Sequence, residues 1–113
     1  MKLVSKKNVV VGLGEIGMPI CKVLSKNSVT IGYDLDKKLM NLTKMKKYEN
    51  YKTHILHICI PFTKKFITNV KKLVKQFDPE ILVIHSTISP STTSNLQSKL
   101  EIPVIYSATR GVH

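Results

Sequence analysis

The stretch Val9-Val10-Val11-Gly12-Leu13-Gly14-Glu15-Ile16-Gly17 decides the fold, because it leads an apolar strand straight into a G-x-G-x-x-G turn. Gly12 permits the tight turn from strand to helix, Gly14 lets a pyrophosphate approach the backbone, and Gly17 lets the helix pack closely on the strand. The helix that follows points its unpaired N–H groups and partial positive charge at the bound phosphates. The pattern therefore indicates a dinucleotide site, with a purely structural glycine turn as the alternative.

The next apolar run ends at an acidic residue, Asp34. A carboxylate at this position accepts hydrogen bonds from the adenosine ribose and repels a 2′-phosphate, which favours NAD over NADP. A helix cap is its alternative role, and Lys37 and Lys38 could soften the cofactor preference. We therefore predict NAD as the cofactor, bound in this part of the chain by Gly12, Gly14, Glu15, Ile16, Gly17 and Asp34.

Strand and helix patterns alternate along the chain. Apolar runs predict strands at residues 8–11, 29–33, 55–60, 81–84 and 103–106. Helical spacing of apolar residues predicts helices at 16–26, 37–47 and 91–100, and one capped by Thr63 that runs to residue 77. Strands separated by helix-length segments form right-handed βαβ units. We predict an α/β fold with a Rossmann-like doubly wound parallel sheet of five strands in the order 3-2-1-4-5, lacking a sixth strand, with the ligand between the first and fourth strands.

Length and composition limit the function classes. The chain has 113 residues, enough for one domain but short for an enzyme that binds both a dinucleotide and a substrate. We therefore expect residues 1–113 to be one dinucleotide-binding domain, a fragment or shortened form of a longer enzyme. Cys21 and Cys59 lack metal-ligand spacing and suit reduced thiols in a cytoplasmic protein. No apolar run reaches membrane-spanning length, so we expect no membrane partner.

The formal net charge of +11 raises the question of a nucleic-acid partner. Most of the positive charge comes from lysines scattered over predicted helices, and Arg110 is the single arginine. Dedicated nucleic-acid surfaces use arginine for bidentate contacts and aromatic residues for stacking, and both are scarce here. Solvated helix faces are the better explanation, although such a surface also attracts anionic ligands such as nucleotides and sugar nucleotides.

Three segments together carry a family resemblance: V-G-L-G-E-I-G-M-P at residues 11–19, I-C-I-P-F-T at 58–63, and I-H-S-T-I-S-P-S-T-T at 84–93. They resemble the G-L-G-x-x-G-x-P, V-P-T and E-S-T-V-P-P-G-T-T motifs of the N-terminal NAD-binding domain of the UDP-glucose/GDP-mannose dehydrogenase family. His85 and Ser91 depart from the third motif, standing where the family has an acid and a glycine. The family's nucleophilic cysteine lies beyond this domain.

The resemblance implies an oxidoreductase domain that binds NAD and whose substrate is a sugar nucleotide. It implies that Thr87, at the end of the fourth strand, acts in catalysis by positioning a water or the substrate near the nicotinamide. Pro61 and Thr63 would pack beside a cofactor ribose. A local Ser/Thr turn and a strand stop followed by a helix cap are the respective alternatives for these residues.

Other functions remain as alternatives. A stand-alone NAD(H)-sensing regulatory module without catalysis is one, another β-hydroxyacid or 6-phosphogluconate-type dehydrogenase domain is the second, and a basic nucleic-acid-associated protein is the third. We expect the 113-residue chain alone to be inactive. We also expect the fifth strand, as an exposed edge, to favour a homodimer.

Histidine and terminal residues carry weaker signals. His54 and His57 should point to opposite faces of a strand and therefore not share a metal, so we expect no metal site. His85 beside Ser86 lacks an acid to orient it as a hydrolytic pair. Arg110 and His113 fall beside the expected crevice and are candidates for binding an anion, with a solvated terminus as the alternative.

Overall fold

The protein is described by a computed structural model that covers residues 5–107. Its five strands are β1 (Lys6–Val11), β2 (Thr30–Tyr33), β3 (Lys52–Ile58), β4 (Ile81–Ile84) and β5 (Val104–Tyr106). Its helices are α1 (Gly17–Ser25), α2 (Leu42–Lys47), α3 (Phe66–Phe77) and α4 (Pro90–Lys99), with a 3₁₀ turn at Lys37–Leu39. All strand pairs are parallel, and helices connect the strands. The predicted α/β fold with a doubly wound, five-stranded parallel sheet is confirmed.

The predicted strand order, however, is wrong. The sheet runs β2-β1-β3-β4-β5, so β3 lies beside β1 and not beyond β2. Burial explains this placement, because Leu56, His57 and Ile58 of β3 are all buried and the strand is paired on both edges, to β1 and β4. An edge position would expose one row of its backbone groups and much of this apolar run to water. The strand order therefore reverses between β1 and β3, which moves the expected ligand crevice to that point.

One face of the sheet holds the hydrophobic core. Alternate residues of the three central strands project toward α3 and α4, and Phe66, Val70 and Leu96 of those helices are almost fully buried against them. The strand residues of this core are Val9, Val11, Leu56, Ile58, Leu82 and Ile84. Helix α1 packs on the opposite face, where Gly17 closely approaches Cys59. Helix α1 covers β1 and β2 on this second face, whereas Ile105 of β5 is 50% exposed there.

Two helix boundaries differ from the sequence prediction for local reasons. The predicted helix at 37–47 is divided, because the Asp36 side chain caps the 3₁₀ turn and the Asn41 side chain starts α2 by accepting a hydrogen bond from the Lys44 N–H at 3.0 Å. The predicted cap at Thr63 is also wrong. Helix α3 begins at Phe66, whose N–H donates to the Thr63 backbone carbonyl, so the Thr63 side chain makes no cap.

Candidate functional site

A crevice of about 900 Å³ lies at the carboxyl ends of the strands. Eight of the nine predicted cofactor residues line it: Gly12, Gly14, Glu15, Ile16, Asp34, Pro61, Thr63 and Thr87. The ninth, Gly17, is buried beneath the glycine turn. The structure therefore brings these predicted residues, which follow four different strands, together at one opening. A second cavity, of about 630 Å³ and bordered by α2 and the end of α3, contains none of the predicted residues.

Each glycine of the motif meets a different geometric demand. Gly12 has a φ of +93°, and a Cβ there would lie 2.8 Å from the backbone carbonyl of Cys59. A Cβ on Gly17 would overlap the Gly12 carbonyl oxygen. In contrast, a Cβ on Gly14 would meet nothing within 4 Å. Gly12 and Gly17 are therefore required by packing, whereas Gly14 leaves space open at the crevice.

The start of α1 offers backbone donors to this space. Its N-cap is Ile16, which has no side chain able to bind the first-turn N–H groups, and no acidic residue lies in that turn. Helix N-termini of this kind carry partial positive charge and unpaired N–H groups. Because Gly14, Glu15 and Ile16 all line the crevice, these donors suit an anionic group bound there.

The Asp34 carboxylate connects the glycine turn to the end of β2. Its Oδ2 accepts a hydrogen bond from the Leu13 N–H at 2.7 Å, and its Oδ1 accepts one from the Asp36 N–H at 2.9 Å. Asp34 also lines the crevice. A carboxylate has about four acceptor positions, so two such bonds leave capacity for ligand hydroxyl groups. The residue thus holds the turn and faces the ligand space at once.

The ends of β3 and β4 form the other wall. Pro61, Thr63 and Thr87 are exposed and line the crevice. The buried Ser86 hydroxyl donates a short hydrogen bond to the Ile60 carbonyl, which ties the two strand ends together. The Ser86-Thr87 pair therefore combines a structural hydroxyl with an adjacent one that is free to meet a ligand.

Sequence reasoning missed several residues of the crevice. Leu35 and Phe62 are exposed apolar side chains at its rim, with exposed fractions of 92% and 46%. One stripe of α3 also faces it: Asn69, Lys72, Leu73 and Gln76. Their spacing places them on one side of a helix, and this signal was available in the sequence. Only the position of α3 over the strand ends, which depends on the strand order, was lacking.

The two cysteines are partly buried thiols whose pKa values are raised. Burial, with a smaller contribution from Cys21, raises the pKa of Cys59 to about 12. Burial likewise raises the pKa of Cys21. Cys59 lines the crevice, but it remains protonated at neutral pH. Neither thiol is in a disulfide.

The histidines form pairs that the sequence did not predict. His57 Nδ1 lies 2.9 Å from His85 Nε2, and the two rings stack. His54 instead bonds Glu80 at 2.8 Å, in a cluster with Lys6. His54 and His57 thus contact different partners, and His85 contacts a histidine instead of forming a pair with Ser86.

Arg110 and His113, the predicted anion-binding candidates, lie outside the described residues. Among residues 5–107, no helix is both long enough and apolar enough to cross a bilayer. Within the same range, no group of three or more histidine, cysteine, aspartate or glutamate side chains is arranged to hold a metal ion.

Comparison with known proteins identifies a fold and no family. No protein-family model matches the sequence, and no curated protein matches it significantly. A search of solved structures finds the crystal structure of RSP, a Rex-family repressor, with a TM-score of 0.57 and 15% sequence identity. The match covers 94% of this chain and 53% of that protein, so the chain spans about half the length of its structural relative. The UDP-glucose/GDP-mannose dehydrogenase resemblance gains no support from these comparisons, and at this level of identity the likeness to the repressor establishes a Rossmann-like fold.

Proposed function

We propose that this chain is an NAD(H)-binding module that senses the cofactor rather than transforms it. The observation that carries the proposal is the juxtaposition of an open glycine turn and the Asp34 carboxylate along one crevice. The uncapped start of α1 supplies donors for the pyrophosphate, and Asp34 supplies acceptors for the adenosine ribose. The two features lie next to each other, as the pyrophosphate and the adenosine ribose do in a dinucleotide.

The volume and the lining of the crevice suit a dinucleotide. It extends from Asp34 at the end of β2 to Thr87 after β4, and its lining is mainly apolar with a few polar groups. Leu35 and Leu73 supply apolar surface for a base, and Lys72 supplies a cation for phosphate. These contacts support one extended ligand better than a small isolated anion.

Two observations favour sensing over catalysis. The cysteine that lines the crevice stays protonated, and none of the histidines within residues 5–107 lines it. The ionisable side chains that remain in the described lining include Glu15, Asp34 and Lys72, and the proposal assigns Asp34 to the cofactor ribose and Lys72 to its phosphates. In addition, the structural relative is a repressor, which is a regulatory protein, although that likeness is one of fold.

A dehydrogenase domain is the second candidate function. Pro19, Pro61 and the Ser86-Thr87 pair support it, because they match the motifs of the UDP-glucose/GDP-mannose dehydrogenases. In that case Thr87 would position the substrate, and groups outside this domain would complete the active site. The substrate would be a sugar nucleotide, and a 6-phosphogluconate-type acid is the further alternative.

Calorimetric titration of the 113-residue chain with NAD⁺, NADH, NADP⁺ and NADPH tests the proposal. We expect NAD(H) to bind at least about tenfold more tightly than NADP(H), because the Asp34 carboxylate repels a 2′-phosphate. Asp34→Asn should narrow this ratio. Asp36→Asn is the matched control, since it removes the same charge two residues away and retains a capping side chain. Equal affinities in the unmodified chain would refute the role of Asp34, and absence of binding would refute the proposed function.

A further inference from the structure

The most basic segment of the chain lies outside the crevice. Residues 37–47, here called the basic strip, contain Lys37, Lys38, Lys44, Lys46 and Lys47 and no carboxylate. The ion pairs found within residues 5–107 join Glu80 to Lys6 and His54, so none of the five strip lysines is neutralised by an acidic partner. The strip therefore presents a concentrated positive charge to its surroundings.

The same strip exposes large apolar side chains. Leu39 is 41% exposed and Leu42 is 56% exposed. Helix α2 contains no buried residue and has only six residues, so it is too short to be stable through its own hydrogen bonds. Leu42 of α2 and Leu39 of the 3₁₀ turn are therefore not fully buried in the core. Because these leucines lie among lysines, the strip suits a partner surface that has both apolar and anionic groups.

Two anionic macromolecular surfaces can be compared with this pattern. Nucleic acid would pair its phosphates with the lysines but leave the leucines in water, and the strip has no arginine or aromatic residue to contact bases. At an anionic bilayer, leucines enter the boundary between headgroups and acyl chains while lysine stems extend to the lipid phosphates. The lipid surface satisfies both kinds of side chain.

We propose that the basic strip is a peripheral contact site for membranes that contain anionic phospholipids. Such contact requires no spanning helix. No residue of the strip lines the crevice, although Leu42, Met45 and Lys46 border the second cavity, so this site is separate from the proposed dinucleotide site. The two proposals can therefore fail independently.

Vesicle flotation with the full chain tests the site. One vesicle preparation contains phosphatidylcholine alone, and the other contains equal parts of phosphatidylcholine and phosphatidylglycerol. We expect binding to the second only, with a decrease as salt rises. Replacing Lys44, Lys46 and Lys47 with Gln should weaken binding by on the order of a hundredfold, since each lysine near an anionic surface contributes about fivefold.

Two further variants separate the strip from overall charge. Replacing Lys64, Lys71 and Lys75 with Gln removes the same charge outside the strip and should cause a much smaller loss. Leu39→Gln with Leu42→Gln keeps every charge and should weaken vesicle binding at least about tenfold. Circular dichroism verifies that each variant is folded.

Three results would overturn the proposal. If the leucine variant binds vesicles as tightly as the unmodified chain, binding depends on nonspecific charge alone and the leucines take no part in it. If the two lysine variants lose the same vesicle affinity, the position of the lysines does not matter and the strip is not a contact site. Binding to mixed-sequence duplex DNA without binding to either vesicle would assign the strip to nucleic acid instead.

Discussion

Gly12, Gly14 and Gly17 belong to one motif, yet a substitution at each position should have a different effect. Gly12 and Gly17 are restricted by neighbouring backbone atoms, so a side chain there acts on folding. Gly14 has open space around its Cα and lines the crevice, so a side chain there acts on the ligand. Binding and stability can therefore be separated within one turn.

We predict that Gly14→Val abolishes NADH binding and changes the free energy of unfolding by only about 0.5 kcal/mol. Gly17→Ala, in contrast, should destabilise the fold by about 2 kcal/mol or more, because its Cβ overlaps the Gly12 carbonyl oxygen. Urea unfolding and NADH fluorescence measure the two properties. Asn27→Ala, at an exposed position just after the end of α1, is the control. Full NADH affinity in a folded Gly14→Val protein would place the ligand elsewhere.

The His57–His85 pair explains how an imidazole is accommodated in the core. His57 is 8% exposed, and burial together with the neighbouring His85 lowers its pKa to about 4. Burial also lowers the pKa of His85. His57 Nε2 has no hydrogen-bond partner among the described residues. A neutral ring with its proton on Nδ1, donated to His85 Nε2, leaves only an acceptor unpaired, which is the less costly arrangement.

We predict that this pair makes the fold sensitive to acid. The pKa of His57 is lower in the folded chain than its ordinary 6.5. The contribution of its neutral ring to the free energy of unfolding is therefore fully present above pH 6.5. The contribution is lost as pH falls from 6.5 toward 4, by up to about 3 kcal/mol. Urea unfolding across this range measures the loss, and His57→Leu should flatten it. His54→Leu, at a partly exposed position, is the control variant. An unchanged pH profile in His57→Leu would contradict this origin.

At the scale of elements, the sequence predicts the parts better than their arrangement. The apolar runs locate all five strands to within a few residues, and β4 agrees at both ends. The strand order fails because periodicity describes one segment at a time. Whether β3 lies at an edge or in the centre of the sheet depends on two relations between segments. One is which neighbouring strand the short connection from β2 through α2 allows β3 to pair with, and the other is which strand has to be buried on both sides.

The candidate site shows the same limit. The glycine turn, Asp34 and Thr87 are predictable because a local motif or a strand end identifies each residue. The α3 residues Lys72 and Gln76 are not, since they become crevice residues only when α3 lies over the ends of β1 and β3. Helix starts are also difficult where capping residues compete, as Asp36 and Asn41 do.

Strand β5 is an edge whose backbone is partly covered by its own preceding helix. The Gln97 side-chain amide accepts from the Val104 N–H at 2.8 Å and donates to the Ile102 carbonyl at 3.0 Å. This amide thereby imitates a neighbouring strand along the first part of the edge. Homodimer formation through the edge stays a prediction, and Gln97 is the residue that opposes it.

We therefore predict that Gln97→Ala increases self-association. The substitution frees two backbone groups for pairing with a second copy, and it should also cost the folded monomer about 1 kcal/mol. Sedimentation velocity over a concentration series measures the association. Ser94→Ala, an exposed position on the same helix, is the control. Identical sedimentation of Gln97→Ala and the unmodified chain would show that this edge takes no part in assembly.

At the scale of the whole molecule, the exposed positive charge and the crevice are distinct features. The chain has a net charge of +11, and the crevice lining within residues 5–107 includes Glu15, Asp34 and one cation, Lys72. The general field attracts anions, whereas selection among them depends on the crevice. In the proposed function, surface lysines attract the nucleotide and Asp34 distinguishes NAD(H) from NADP(H).

The final prediction is that the 113-residue chain binds NAD(H) but shows no dehydrogenase turnover. Hydride transfer requires the donor carbon and the nicotinamide in near-attack geometry, together with a group that accepts the alcohol proton. Thr87 offers an exposed hydroxyl, but Cys59 stays protonated because burial raises its pKa to about 12. Absorbance of NADH should therefore not change with UDP-glucose, GDP-mannose or their N-acetyl relatives. Turnover above background that Thr87→Val abolishes would contradict the sensing role and establish a catalytic site within this domain.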